Sequence, residues 1–153
     1  MELVVMLFLC WLSFAILFSQ SDYYCKKDIA FLLLFTALIT THAYTIFSAN
    51  FKFISLPKEN VKYIAYLLLR SALLPATISL LIHFYLHVKS TKLKIRVMIG
   101  AIISFTFIIK LSHSLGLFTY KNWNTFLMVI FLILVTIMAF WFLKLFQRMC
   151  KNH

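Results

Sequence analysis

Long apolar runs separated by short polar clusters dominate the pattern of this chain. Five such runs cover residues 3–20, 29–49, 63–88, 97–118 and 125–146, and each is 18 to 26 residues long. About 20 apolar residues are needed for a helix to cross the hydrocarbon core of a bilayer. A membrane β-barrel would need strands of about 10 residues with alternating polarity, whereas residues 126–135 are apolar on every side. The pattern therefore predicts an all-α integral membrane bundle of five transmembrane helices.

The composition agrees with this interpretation. Hydrophobic residues make up 63% of the 153 residues and charged residues only 12%, with a mean hydropathy of +0.96, whereas soluble domains carry about 25% charged residues. The connections are short, so we expect residues 1–153 to form a single transmembrane domain with no soluble domain. The first run should be a retained helix and not a signal peptide, because Glu2 stands where a basic cluster is expected and no small-x-small pattern precedes Ser21.

Two of the predicted spans contain a basic residue, Arg70 in the third and Lys110 in the fourth. A Lys or Arg near the centre of a membrane helix costs about 2.5 to 3.5 kcal/mol, whereas each Leu, Ile, Phe or Val returns about 0.3 to 0.6 kcal/mol. Residues 97–118 include twelve of these apolar side chains, worth about 4 to 7 kcal/mol together. We therefore expect both spans to insert.

The distribution of Lys and Arg predicts the orientation. The loops on the side of the amino terminus carry four basic residues and those on the opposite side carry nine. The positive-inside rule then places the amino terminus outside and the carboxyl terminus in the cytoplasm. The net charge of +11 is spread over juxtamembrane loops, which favours anionic lipid on the cytoplasmic side as the partner and not nucleic acid. A composition rich in Phe, Ile, Lys and Asn is typical of an AT-rich genome, so we expect a bacterial plasma membrane.

Four basic or titratable side chains lie at a similar depth in the outer half of the predicted bundle: His42, Arg70, Lys110 and His113. From their distances to the span midpoints, they lie roughly 4 to 8 Å outward of the bilayer centre. No Asp or Glu lies inside any span. If the four side chains face one another, they are a candidate site for an anionic group such as a lipid phosphate, a carboxylate or a quinone oxygen. The alternative is that Arg70 and Lys110 snorkel separately to the outer headgroups and that both histidines are neutral.

Two weaker patterns concern metal and haem. His83 and His87 form an i,i+4 pair that could bind a metal ion. Further potential ligands on the same side are Cys25, Asp28, Cys150 and His153. His42 and His113 could in principle ligate a haem between two helices. Interfacial histidines are common, however, and close haem packing normally requires more small residues than this chain offers, so no cofactor is expected.

Pro75 interrupts the third span. Proline lacks a backbone N–H, so it should free the carbonyl of Ser71 and kink the helix. The hydroxyl of Ser71 or Thr77 could compensate the backbone there.

Several features expected of enzymes and transporters are missing from the sequence. It shows no internal repeat, no carboxylate inside a span, and neither H-E-x-x-H nor G-x-S-x-G. We therefore expect a protein that is not an enzyme and that acts through helix contacts as an accessory, immunity or assembly subunit of a larger membrane system. Two alternatives stay open: a module that binds a ligand or transfers electrons through the four outer residues, and a holin-like protein that permeabilises the membrane.

Overall fold

The computed structural model describes residues 1–19, 26–121 and 124–151. Its helices are α1 (Glu2–Ser19), α2 (Lys26–Thr45), α3 (Asn60–Leu68), α4 (Leu74–His87), α5 (Thr91–Ser114) and α6 (Thr125–Lys151). A π-helical turn extends α2 over Ile46–Asn50, and a second one, Leu69–Leu73, joins α3 to α4. Within the described ranges, five continuous helices are long and apolar enough to cross a membrane: Glu2–Ser19, Lys27–Asn50, Asn60–His87, Thr91–Ser114 and Thr125–Met149. The prediction of five apolar helices, compatible with a multi-pass membrane protein, is confirmed.

The third long helix, formed by α3 and α4, occupies the centre of the bundle. In its most apolar stretch 56% of the residues are buried, against 17% to 33% in the other four long helices. α1 packs against both halves, while α2, α5 and α6 all contact α4. Every residue from Leu73 to Ser79 is buried, as expected for a helix that is surrounded on all sides.

Consecutive long helices run in opposite directions, which gives the bundle two ends. The N-terminal end carries Met1, and the C-terminal end carries the start of α5 and the end of α6. At the N-terminal end, strands β1 (Ile54–Ser55) and β2 (Thr119–Tyr120) pair antiparallel, with Ile54 opposite Tyr120. This pairing joins the loop after α2 to the loop after α5 and holds Tyr120 against the helix ends.

The fourth span differs from its predicted limits, 97–118, at both ends. It begins earlier, at Thr91, because the helix continues through the basic segment that hydropathy excludes from the membrane. It ends at Ser114, because Gly116 has a φ of +67°. The Leu117 N–H donates to the Ser112 carbonyl at 3.1 Å and the Gly116 N–H to the His113 carbonyl at 3.0 Å. This Schellman motif terminates the helix and turns the chain back over its last turn.

Candidate functional site

Arg70 lies in the π-helical turn between α3 and α4, on the side that meets α2. Its Nη1 donates to the Thr45 hydroxyl at 3.0 Å, and its guanidinium carbon lies 5.5 Å from the centroid of the Tyr66 ring. Its Nε is buried and makes no hydrogen bond. Among the described residues, the ion pairs involve Glu2 and Glu59 and do not include Arg70. The guanidinium is therefore positioned by polar and aromatic contacts without a neutralising carboxylate.

Three tyrosines with buried hydroxyl groups form a series of neighbours that begins at this arginine, in the order Tyr66, Tyr44 and Tyr120. Tyr44 and Tyr66 are fully buried, and their ring centroids are 6.1 Å apart. The Tyr120 hydroxyl is buried too and is close enough to Tyr44 to interact with it electrostatically. None of the three hydroxyls makes a hydrogen bond of good geometry, although Arg70 and Ser48 lie close to that of Tyr66 and Thr125 lies close to that of Tyr120. Four of the five buried side-chain polar atoms without a partner in the described structure belong to Arg70 and these tyrosines. We call Arg70, Tyr44, Tyr66 and Tyr120 the Arg70–tyrosine cluster.

Burial has a clear electrostatic effect on Tyr120, which lies outside the five long helices. Desolvation raises the pKa of its phenol to about 12, and the Thr125 side chain acts in the opposite direction. At neutral pH the phenol is therefore protonated and available as a donor.

Pro75 affects the backbone hydrogen bonds of the π-helical turn that contains Arg70. In the π-helical turn, the Leu74 N–H donates to the Leu69 carbonyl, five residues earlier. The next donor in that register would be Pro75, which has no N–H, so the carbonyl of Arg70 loses its helical partner. The hydroxyl of Thr40 on α2 lies 2.9 Å from the Arg70 carbonyl. It also lies 2.8 Å from the Thr36 carbonyl, one turn earlier in α2. The Arg70 carbonyl is therefore the one that loses its helical donor and is hydrogen-bonded by a neighbouring helix. From the sequence we expected the Ser71 carbonyl in this role.

The hydroxyl groups near Pro75 also differ in part from the expectation. The Ser71 hydroxyl donates to the Leu67 carbonyl at 2.6 Å. The Thr77 hydroxyl donates to the Leu73 carbonyl at 2.7 Å. Thr77 therefore satisfies a backbone group of the π-helical turn, while Ser71 bonds one turn before it.

The four basic residues singled out in the sequence do not form one cluster in the described structure. His42 is exposed on α2 and Lys110 is exposed on α5, and α4 and α6 each pack against both of these helices. His113 stacks on Tyr120 with ring centroids 5.4 Å apart and an interplanar angle of 12°. Only Arg70 and His113 are thus connected to the same cluster, His113 through Tyr120. Ligand binding by any of the four stays a prediction.

Sequence reasoning missed Tyr66 as a core residue, because its position near a span end is typical of an interfacial aromatic belt. A usable signal was present on α2. Thr36, Thr40 and Tyr44 recur every four residues and are all fully buried, so they mark the face of α2 that meets the centre of the bundle.

The C-terminal end holds a second, smaller polar group. Asp28, Ser79 and His83 line a cavity about the size of one water molecule. The Gln147 amide donates to the Asp28 carboxylate at 2.7 Å. His83 is buried and His87 is exposed, so the two members of the predicted metal pair have different environments. Within the described part of the chain, no three His, Cys, Asp or Glu side chains are grouped as metal ligands; Cys25, the Cys150 side chain and His153 lie outside it.

A comparison with known proteins finds no matching family model, no matching curated protein and no matching solved structure. The function must therefore be inferred from the residues of this chain alone.

Proposed function

We propose that the chain is a five-span protein of the bacterial plasma membrane, with its amino terminus outside and its carboxyl terminus in the cytoplasm. The support is the distribution of basic residues, nine on one side against four on the other. A reporter that is active only in the cytoplasm, fused after His153, should be active, and a reporter that requires export should be silent there. The reverse pattern would overturn this orientation.

We further propose that the protein is not an enzyme and that it acts as an accessory, immunity or assembly subunit of a larger membrane system. The observation that carries this proposal is the polar surface beside Arg70. The side chains of Thr45 and Ser71 are exposed, and Arg70 is partly exposed, although all three lie in helices that are otherwise apolar. The two hydroxyls donate within their own helices, but in a membrane, lipid tails offer the guanidinium no further hydrogen bonds and no counterion.

The depth of Arg70 makes this surface costly. Arg70 lies three to four residues before the midpoint of the long helix Asn60–His87, which corresponds to about 5 Å from the bilayer centre. It is therefore well inside a hydrocarbon core of about 30 Å. An arginine at such a position costs about 2.5 to 3.5 kcal/mol on the insertion scale. A carboxylate on a transmembrane helix of a partner protein would neutralise the guanidinium and cover the polar surface, so we propose this chemistry for the partner.

Crosslinking in native membranes tests the proposal. A photo-reactive amino acid in place of Ser71, which is exposed next to Arg70, should give a specific adduct with one membrane protein. Arg70→Gln should abolish the adduct, Arg70→Lys should retain much of it, and Lys110→Gln, the matched control on α5, should leave it unchanged. Thermal unfolding of each purified variant shows whether the bundle is intact. An adduct that persists in a folded Arg70→Gln variant, or the lack of any adduct, would overturn the proposal.

A second candidate function is supported by the unpartnered hydroxyls of the Arg70–tyrosine cluster. Phenol and guanidinium donors could bind an oxygen-rich group of a small membrane molecule, such as a quinone carbonyl. An absorbance spectrum and an extract of the purified full chain would reveal such a molecule. A holin-like activity is the remaining alternative, and its signature would be an abrupt loss of membrane potential on controlled expression.

A further inference from the structure

An open apolar groove of about 200 Å³ runs between α4, α5 and α6, away from the Arg70–tyrosine cluster. Its lining includes the small side chain of Ala101, and its rim includes Met98, Ile102 and Ile137, whose side chains are about half exposed. Of the polar residues that line it, Thr136 is satisfied within its own helix, since its hydroxyl donates to the Leu132 carbonyl at 2.8 Å. The groove therefore offers an apolar ligand an uninterrupted surface.

The length of the groove matches one leaflet of a bilayer. On α5 it extends from Val97 to Phe105, a separation of eight residues and about 12 Å. One leaflet contributes about 15 Å to a hydrocarbon core of about 30 Å. A straight hydrocarbon chain lying along the helices would thus follow the groove through most of one leaflet.

Two lysines stand at the mouth of this groove, at the C-terminal end of the bundle. Tyr85 and Phe140 line the mouth and meet edge to face, with ring centroids 5.6 Å apart. The Lys94 Nζ lies 5.3 Å from the centroid of the Tyr85 ring, and the Lys144 Nζ lies 4.5 Å from the centroid of the Phe140 ring. These cation–π contacts hold both ammonium groups beside the groove mouth.

The charges at this end complement an anionic headgroup. The basic side chains described there, besides these two lysines, are Lys27, Lys89, Lys92, Arg96 and Arg148. Asp28 is the acidic side chain described at this end, and it accepts a hydrogen bond from Gln147. A ligand with an anionic head and a hydrocarbon tail fits both parts of the site.

We propose that the groove between α4, α5 and α6 binds an anionic phospholipid, with one acyl chain along the groove and the phosphate between Lys94 and Lys144. A zwitterionic lipid would fill the groove equally well but would gain less at its mouth. The inference depends on the chain crossing a membrane and not on what Arg70 binds, so either proposal can fail without the other.

Native mass spectrometry of the purified full chain tests this. The protein is released from nanodiscs of equimolar phosphatidylglycerol and phosphatidylcholine with the same acyl chains, and the lipid retained per chain is identified. We expect one phosphatidylglycerol to be retained preferentially. Each lysine should contribute about fivefold to the preference, the equivalent of about 1 kcal/mol, so the Lys94→Gln, Lys144→Gln double variant should reduce it by up to about 25-fold.

Two controls separate the specific site from general surface charge. Lys92→Gln, Arg148→Gln removes the same charge from the same end, but from side chains other than the two that contact the rings at the groove mouth, and it should change the preference little. Ala101→Phe places a large side chain in the lining of the groove and leaves both lysines in place, and it should reduce retention of the lipid. Thermal unfolding checks that each variant is folded.

Three outcomes would overturn the lipid-binding proposal. Equal loss of preference in both charge-removing variants would overturn the proposal in favour of unspecific surface charge. Unchanged retention in folded Ala101→Phe would show that the acyl chain lies elsewhere and would also overturn it. So would a second protein chain, retained in place of lipid and displaced by Ala101→Phe, because the groove would then seat a helix.

Discussion

Replacing Tyr44 by phenylalanine should stabilise the isolated protein. The Tyr44 side chain is fully buried and its hydroxyl makes no hydrogen bond. Burying an unpaired hydroxyl costs about 1 to 3 kcal/mol. The ring, which packs 6.1 Å from that of Tyr66, is retained in Tyr44→Phe. The substitution therefore removes the cost and keeps the packing, and we expect the free energy of unfolding to rise by about 1 kcal/mol.

Thermal unfolding of the purified full chain in mild detergent measures this change. For a domain of this size, 1 kcal/mol corresponds to an increase in Tm of roughly 2 to 4 °C. Tyr63→Phe is the matched control, because Tyr63 is 39% exposed and its hydroxyl can reach solvent or headgroups; we expect no change there. A decrease in stability of about 1 kcal/mol for Tyr44→Phe would refute the reasoning, since it would mean that the hydroxyl has a strong partner within the isolated protein.

Three further predictions concern the rest of the bundle. Thr40→Val should lower the free energy of unfolding by about 0.6 to 1.7 kcal/mol, the range for interhelical hydrogen bonds in membranes. Thr36→Val should lower it less, because Thr36 is equally buried but its hydroxyl bonds within α2. Equal losses would contradict the interhelical role of Thr40. Tyr120 should titrate at about pH 12 by phenolate absorbance. Because its unfolded pKa is about 10, stability should fall between pH 10 and 12, and Tyr120→Phe should lack this part of the fall. Gln147→Leu should lower thermal stability by about 1 to 2 kcal/mol through loss of the hydrogen bond to the Asp28 carboxylate; an unchanged Tm would show that this contact is not maintained.

Hydropathy sufficed to find the five long helices because burial in lipid and burial in protein both select apolar residues. For the same reason it could not show which face of each helix points inward. Leu32 is 4% exposed and Leu34, two positions later, is 74% exposed, yet the two are chemically identical. Buried hydroxyl residues carried a signal for the inward direction, namely Thr36 and Thr40 on α2 and Ser112 on α5. The rotational placement of the remaining helices depends on packing between side chains far apart in the chain.

The candidate site was predictable in part for a related reason. Arg70 stood out because a charge in an apolar span is costly. Lys110 stood out equally, yet it lies near the end of α5, four residues before Ser114, where a long side chain can reach the headgroups. The end of α5 could have been predicted from Gly116, whose positive φ terminates the helix. The π-helical turn before Pro75 could not, since a proline is compatible with several local backbone adjustments.

That π-helical turn connects the backbone to the proposed function. It accommodates one extra residue relative to an α-helix, so α3 is rotated by about 100° with respect to α4 compared with an unbroken helix. The observed rotation buries Tyr66, Leu69 and Leu73, all at most 1% exposed, and leaves Arg70 beside α2 with its carbonyl accepting from Thr40. An arginine that only snorkelled would need none of these contacts. The irregular backbone, the interhelical hydrogen bond and the aromatic ring all fix the guanidinium at one depth and in one direction, which is what recognition of a carboxylate on a partner helix would require.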